Sequence, residues 1–223
     1  METETLWDWS YVAEILPILA GAAVVTIEAT LIGFALAAVI GLVLAILRFA
    51  VPALSWPVAA LVEFIRSTPL LIQIFFLFFV FPEFGIVLDA FTAGVLALGL
   101  HYGAYCSEVY RAGLEAVPRG QWEAAIALNL GQTTTFRDII LPQALPPIVP
   151  ALGNYLVALF KETPLLSAIA VLELMQTAKI LGSETFRYNE PITLVGLFFL
   201  AMSLVSAAAI RLVERYLKRR VAR

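Results

Sequence analysis

The chain has 223 residues, of which 61% are hydrophobic and only 14% charged, with a formal charge of −3 and a mean hydropathy of +0.93. A soluble globular domain is nearer half apolar and a quarter charged, so the composition excludes a soluble enzyme or a nucleic-acid-binding protein. It indicates an all-α membrane protein of one domain, residues 1–223, and the single cysteine, Cys106, excludes an internal disulfide framework.

The N-terminal METETLWDWS is acidic and lacks the basic stretch of a signal peptide, so the first apolar run is expected to remain as a span. A membrane helix needs about 20 mainly apolar residues. Five stretches qualify, at about 17–47, 57–82, 88–110, 143–172 and 191–213. Glu28 is the sole charge of the first and is expected to pair with another helix. Ten of the fourteen Lys and Arg residues fall on one side of this arrangement: Arg48, Arg111, Arg119, Arg137 and six from Arg211 to Arg223. The other side has Lys179 and Arg187 among the acidic Glu2, Glu4, Asp8, Glu14, Glu83, Asp89, Glu184 and Glu190. The positive side is cytoplasmic, which predicts five transmembrane helices with the N-terminus outside and the C-terminus in the cytoplasm. Trp7, Trp9 and Tyr11 then lie at the outer interface, and the basic tail YLKRRVAR meets anionic lipid.

The second and fourth spans carry the same short sequence after charged residues, IRSTPLLIQ and FKETPLLSA. Each proline removes a helical hydrogen bond near mid-membrane, and the repeat predicts two similar local breaks. Charged residues at membrane depth usually face a cavity or the bundle interior, and broken backbone is tolerated there for the same reason. A polar pocket follows. Glu162 is suited to an ammonium group and Arg66 or Lys161 to a carboxylate. Ser67, Thr68, Thr163 and Ser167 add hydrogen-bonding hydroxyls. Such a pocket fits a zwitterion, although each charge also has a structural reading, as a pair across a helix interface or as a side chain snorkelling to the surface.

In the third span, Glu108 and Arg111 are three residues apart and are expected to pair. His101, the only histidine, is read as satisfied or cavity-facing, and no cluster suggests a metal site. Residues 115–147 form the one long loop. Trp122 to Leu130 is rich in helix formers, Asn129 and Gly131 suit a left-handed turn, and the threonines at 133–135 are expected to cap a second short helix stopped by Pro142. The prediction is a cytoplasmic helix–turn–helix between spans 3 and 4, spanning 115–142. Lipid-surface helices are rich in Lys and Arg. This loop is not, which favours a protein partner.

Within that loop, Glu123-Ala124-Ala125, Asn129, Ile139 and Leu141-Pro142 resemble the EAA signature of ABC importer permeases, E-A-A-x3-G-x9-I-x-L-P, with Asn129 in place of the usual glycine. VEFIRSTPLLIQIFF, HYGAYCSEVYRAGLEAVPRGQWEAA and LPQALPPIVPALGNYLVALFKETPLLS resemble the polar amino-acid branch of the same family, and the likeness covers about 17–216. The resemblance implies a multi-pass permease of the bacterial inner membrane. It further implies a second permease, identical or paralogous, and two cytoplasmic ATPase subunits that bind ATP and Mg and dock on Glu123, Ala124, Ala125, Asn129, Ile139, Leu141 and Pro142. An extracytoplasmic binding protein would deliver a polar amino acid or a related zwitterion such as ectoine. Lys161, Lys179 and Lys218 lack a phosphate-loop context, so this chain carries no cofactor and no catalytic residue. The competing reading is an ion-coupled secondary transporter relaying protons through Glu28, His101 or Glu162. An intramembrane enzyme lacks its constellation.

Overall fold

A computed structural model describes residues 7–221, so Glu2, Glu4 and Arg223 lie outside the described residues. The described chain is helical throughout, without strands. α1 is Trp9–Ala50, α2 Pro52–Ser67 and α3 Leu70–Phe75, which continues as a π-helical turn and a 3₁₀ turn to Phe84. α4 is Ala90–Glu115 and α5 Arg119–Ala127. The short α6, Gln132–Thr134, runs through a π-helical turn, Thr135–Ile140, into α7, Leu141–Glu162, and on into a 3₁₀ stretch, Thr163–Ile169. α8 is Leu174–Thr185 and α9 Asn189–Val221.

α1 begins at Asp8, whose carboxylate accepts hydrogen bonds from the backbone N–H groups of Ser10 and Tyr11 at 2.9 and 3.4 Å. The Ser10 hydroxyl and these amides hold that carboxyl below the usual carboxylate range. Along α1, small residues form the buried stripe: Ala22, Ala23, Ala29, Gly33, Ala37, Gly41 and Ala45. Ala29, Gly33, Ala37 and Gly41 admit α4 at close range, as small residues do between membrane helices, while Ala22 and Ala23 pack with α8 and α9. A Cβ on Gly41 would sit 2.6 Å from Cys106 Cβ and 2.8 Å from the Gly103 carbonyl oxygen. Gly99 and Gly103 of α4 in turn receive Leu36 and Ile40. Around this contact the core gathers Leu70, Ile74, Leu98, Tyr102, Leu159 and Leu166.

Three helical stretches are long and apolar enough to cross a membrane: Trp9–Ala50, Gln132–Ile169 and Asn189–Tyr216. The stretch expected as one span at 57–82 is instead a pair, Pro52–Ser67 and Leu70–Phe84, bent by 101°. α4 has 26 residues, about 39 Å at 1.5 Å per residue, and carries His101, Glu108 and Arg111. α8, in the connection between the fourth and fifth expected spans, was not foreseen.

Four local expectations need correction. The two Thr-Pro sites are not alike. Thr68 is extended, φ −98° and ψ 130°, as a residue before proline prefers, whereas Thr163 stays helical at φ −57° and ψ −30° and the helix tightens to 3₁₀. Pro142 does not stop a helix. It sits in the first turn of α7, directly after the π turn, whose wider spacing accommodates the missing N–H. No threonine caps α6: its N-cap is Gly131, at φ −64°, so the left-handed residue of the turn is Asn129 alone. Glu28 pairs with no other group among the described residues. It is exposed on the face of α1 opposite the Ala29, Gly33 and Ala37 stripe.

The close α1–α4 contact makes a prediction. Gly41→Ala places a methyl group against backbone with no room to yield, so thermal unfolding in detergent should fall by the equivalent of about 1–3 kcal/mol. Gly21→Ala, where no atom lies within 4 Å of the added Cβ, should leave it unchanged.

Candidate functional site

The first polar region is built on the break between α2 and α3. Breaking a helix exposes carbonyls, and here one side chain takes them up. Gln73 Nε2 donates to the Ile65 and Thr68 carbonyls at 2.8 and 3.0 Å. Thr68 Oγ1 donates to the Phe64 carbonyl at 2.8 Å, and the exposed Ser67 Oγ to Glu63 Oε1 at 3.4 Å. The bend is therefore a satisfied, fixed element.

Arg66, in the last turn of α2, is aimed at α4. Its guanidinium lies over the Tyr105 ring, 5.1 Å from the centroid, and Nη1 is 3.4 Å from Glu63 Oε2. Tyr105 O–H donates to the Arg66 carbonyl at 3.4 Å. Tyr105 belongs to an aromatic wall from α4 and α7: its ring centroid is 5.2 Å from His101, 6.1 Å from Tyr102 and 5.6 Å from Tyr155. Glu162, at the end of α7, is half-buried and lies seven residues, two turns, beyond Tyr155 on the same helix face. The wall thus carries a cation, Arg66, against Tyr105, and a carboxylate, Glu162, two turns along α7 from Tyr155. Arg66 Nε and His101 Nδ1 are enclosed without a hydrogen-bond partner.

The other expected residues are dispersed. Lys161 is exposed and makes no ion pair among the described residues. Thr163 is fully buried, its hydroxyl committed to the Phe160 carbonyl of its own helix at 2.7 Å. Sequence reasoning missed Tyr102, Tyr105, Tyr155 and Gln73. The signal available was the i, i+3 spacing of Tyr102 and Tyr105 beside His101, but Tyr155 joins them only through the packing of α7 on α4.

The second region surrounds α5. Trp122 packs on Phe136 and Phe49, with centroids at 5.3 and 6.3 Å, over a base of Val117, Ile140, Ala144 and Ile148. Gln143 Nε2 ties α7 to α5 through Gln121 Oε1 at 3.3 Å. Asn129 ends the helix at φ +52°. Its N–H bonds the Ile126 carbonyl and that of Leu130 the Ala125 carbonyl, at 2.9 and 3.0 Å, a Schellman arrangement with asparagine in the left-handed position. Ala125 is buried against its own chain, while Glu123, Ala124, Ile126 and Leu128 face outward, the last two 77% and 71% exposed. Ile139 is half-buried, and Leu141 and Pro142 are exposed. As expected, Glu108 pairs with Arg111, at 2.7 Å. Arg48 of α1 also bonds Glu108, and Arg111 bridges on to Glu115 at 2.6 Å.

Residues 37–222 match the model of a family described as binding-protein-dependent transport system inner membrane component. The chain is 46% identical over 214 residues, 96% of its length and 93% of the relative's, to a probable amino-acid ABC transporter permease protein of Sinorhizobium fredii. It is 36% identical to the L-cystine transport system permease protein of Bacillus subtilis, covering 90% of this chain and 88% of that one. Among solved structures, a chain of an amino acid ABC transporter crystallised with histidines superposes with a TM-score of 0.88 at 32% identity, covering 94% of this chain and 99% of that one. A chain of the MetNI methionine ABC transporter shares the fold, with a TM-score of 0.79 at 21% identity over 92% of this chain and 98% of that one.

The capped bend can be tested directly. Gln73→Leu strips the Thr68 carbonyl of its donor, leaves the Ile65 carbonyl with the Thr68 N–H alone, and should cost about 1–3 kcal/mol of stability, read as a lowered Tm in detergent. Gln73→Glu, which supplies no N–H, should do the same.

Proposed function

The chain belongs to the family of binding-protein-dependent transport system inner membrane components, and we propose that the aromatic wall between Arg66 and Glu162 is where it holds its cargo, a polar amino acid. As a member of that family it is a permease subunit of an ABC importer, a multi-pass component of the inner membrane. The observation that carries the cargo reading is the stacking of Arg66 over Tyr105, in one wall with Tyr155 of α7, the helix that ends at Glu162, next to the fixed bend at Thr68-Pro69. A free amino acid has its carboxylate and ammonium only a few ångströms apart. Arg66 takes the carboxylate, Glu162 the ammonium, and the tyrosine faces cover the remainder. The exposed Lys161 and the hydroxyls of Ser67 and Thr68 line the approach.

The bent pair and α4 count as the second and third of five spans, with the N-terminus outside and the C-terminus in the cytoplasm. α4 crosses despite its polar residues because its neighbours bury them. The face of α5 formed by Glu123, Ala124, Ile126 and Leu128, with Asn129 and the exposed Leu141 and Pro142, docks one ATPase subunit. The apolar exposure of Ile126 and Leu128 at a helix end supports a protein partner. A complete importer pairs this chain with a second permease, two ATPases that bind ATP and Mg, and an external binding protein. Neither ectoine as cargo nor an ion relay through Glu28, His101 and Glu162 draws support from the relatives.

Two measurements on the assembled transporter test these assignments. In proteoliposome uptake, Glu162→Gln should raise the half-saturating cargo concentration tenfold or more, the loss of one charge-assisted hydrogen bond of about 1.5 kcal/mol, with basal ATP hydrolysis retained. An unchanged substrate profile would remove Glu162 from the site. Glu123→Arg should abolish cargo-stimulated ATP hydrolysis while the protein still inserts, and full transport by this variant would dissociate α5 from the docking role.

A further inference from the structure

A cavity of about 590 Å³ opens where the ends of α1 and α4 meet the start of α2 and α5, lined by Arg48, Ser55, Arg111, Glu115, Arg119 and Trp122. Under the orientation proposed above, on which this inference rests, it lies at the inner surface of the membrane. Two of its three arginines are held in place. Arg48 and Arg111 share Glu108, and Arg111 also bonds Glu115. Arg119 is exposed and has no partner among the described residues. Three guanidinium groups against two carboxylates leave one positive charge uncompensated. Apolar surface lies beside it: Phe49, in the lining, is 55% exposed, and the chain neighbours of lining residues, Ile46 after Ala45 and Trp56 after Ser55, are 53% and 80% exposed. A tryptophan so placed at the end of a spanning helix is an interfacial anchor.

We propose that this cavity seats the phosphate-bearing headgroup of an anionic phospholipid, its acyl chains lying over Ile46, Phe49 and Trp56. The phosphate chemistry follows from the arginines, which fork onto phosphate oxygens as readily as onto carboxylates. The lipid source follows from this apolar surface, which a free phosphate ion would leave bare. Basic pockets between helices on the cytoplasmic side are suited to such headgroups. The bound headgroup would touch α1, α2, α4 and α5 together, so it would brace the first turn of α5, where Arg119 and Trp122 lie. The lipid composition of the inner leaflet thereby sets how firmly α5 is held while the ATPase moves it.

The test is native mass spectrometry of the complete permease–ATPase complex in detergent doped with phosphatidylglycerol or phosphatidylcholine. The wild-type complex should retain phosphatidylglycerol in preference. Arg119→Gln should reduce that retention about fivefold, which corresponds to about 1 kcal/mol per basic residue near a membrane surface. Arg119→Lys should preserve it. Arg137→Gln removes the same charge from the same face but outside the cavity, and should behave as wild type. Equal retention by Arg119→Gln would overturn the proposal, as would equal loss in Arg137→Gln, which would mean diffuse attraction. Displacement of the lipid by inorganic phosphate at matched concentration would assign the cavity to the free ion instead. Loss of the ATPase from Arg119→Gln with lipid retention intact would assign it to an acidic side chain of that partner. The orientation is checked separately by a membrane-impermeant thiol reagent on Gln132→Cys in sealed vesicles. Labelling from the outer side would overturn the inner-leaflet assignment without touching the detergent result.

Discussion

The closeness of α1 to α4 is the constraint on which the other arrangements depend. Without a hydrophobic driving force between helices in lipid, packing must come from surfaces that fit. Gly41 meets Gly103 and Cys106, while Leu36 and Ile40 fill the places left by Gly99 and Gly103. This commits one side of α4 entirely to α1. The remaining sides carry the polar groups. Tyr105 meets Arg66 of α2, Tyr102 and Tyr105 meet Tyr155 of α7, and Glu108 meets Arg48 at the far end of α1. Were α4 a helix-width further from α1, neither the aromatic wall nor the arginine–glutamate ladder would close.

Two identical tripeptides, Thr-Pro-Leu, take different conformations because their surroundings differ. At the first, the residue before proline yields to its local preference and extends, and Gln73 stands ready to receive the released carbonyls. At the second, Thr163 is fully buried, bonded back to Phe160, and held next to Leu166, which packs against Gly94 of α4. Tertiary packing overrides the local preference there. The bend sets Arg66 against Tyr105, and the continuous helix carries Glu162 two turns beyond Tyr155.

Much of this was legible in the sequence, for identifiable reasons. Apolar length located the stretches around α1, α4, α7 and α9, and the i, i+3 spacing of Glu108 and Arg111 gave their pair. The chirality preference of asparagine gave Asn129 its left-handed place. What escaped depended on contacts between distant segments. Nothing near Glu28 says that the opposite face of its helix is the packed one. Nothing in Pro142 says that a widened turn precedes it, since that turn is stabilised by Phe136 on Trp122 and by Ile140 beneath them. Tyr155 and Tyr105 are fifty residues apart, and Gln73 looks like a stray amide in an apolar run until the bend brings the Ile65 carbonyl to it.

The stretch from Gln132 to Ile169 runs as 38 residues of helix, about 57 Å at 1.5 Å per residue. Its near end is wedged beneath Trp122 and its far end holds Glu162. It is a lever arm, and its pivot is the contact of α7 with α4. No loop interrupts it between the π turn beside Trp122 and the 3₁₀ stretch beyond Glu162. Pro142, Pro146, Pro147 and Pro150 lie in the near part of the rod and Pro164 just beyond Glu162, so the helix between Pro150 and Glu162 is the part without a proline break.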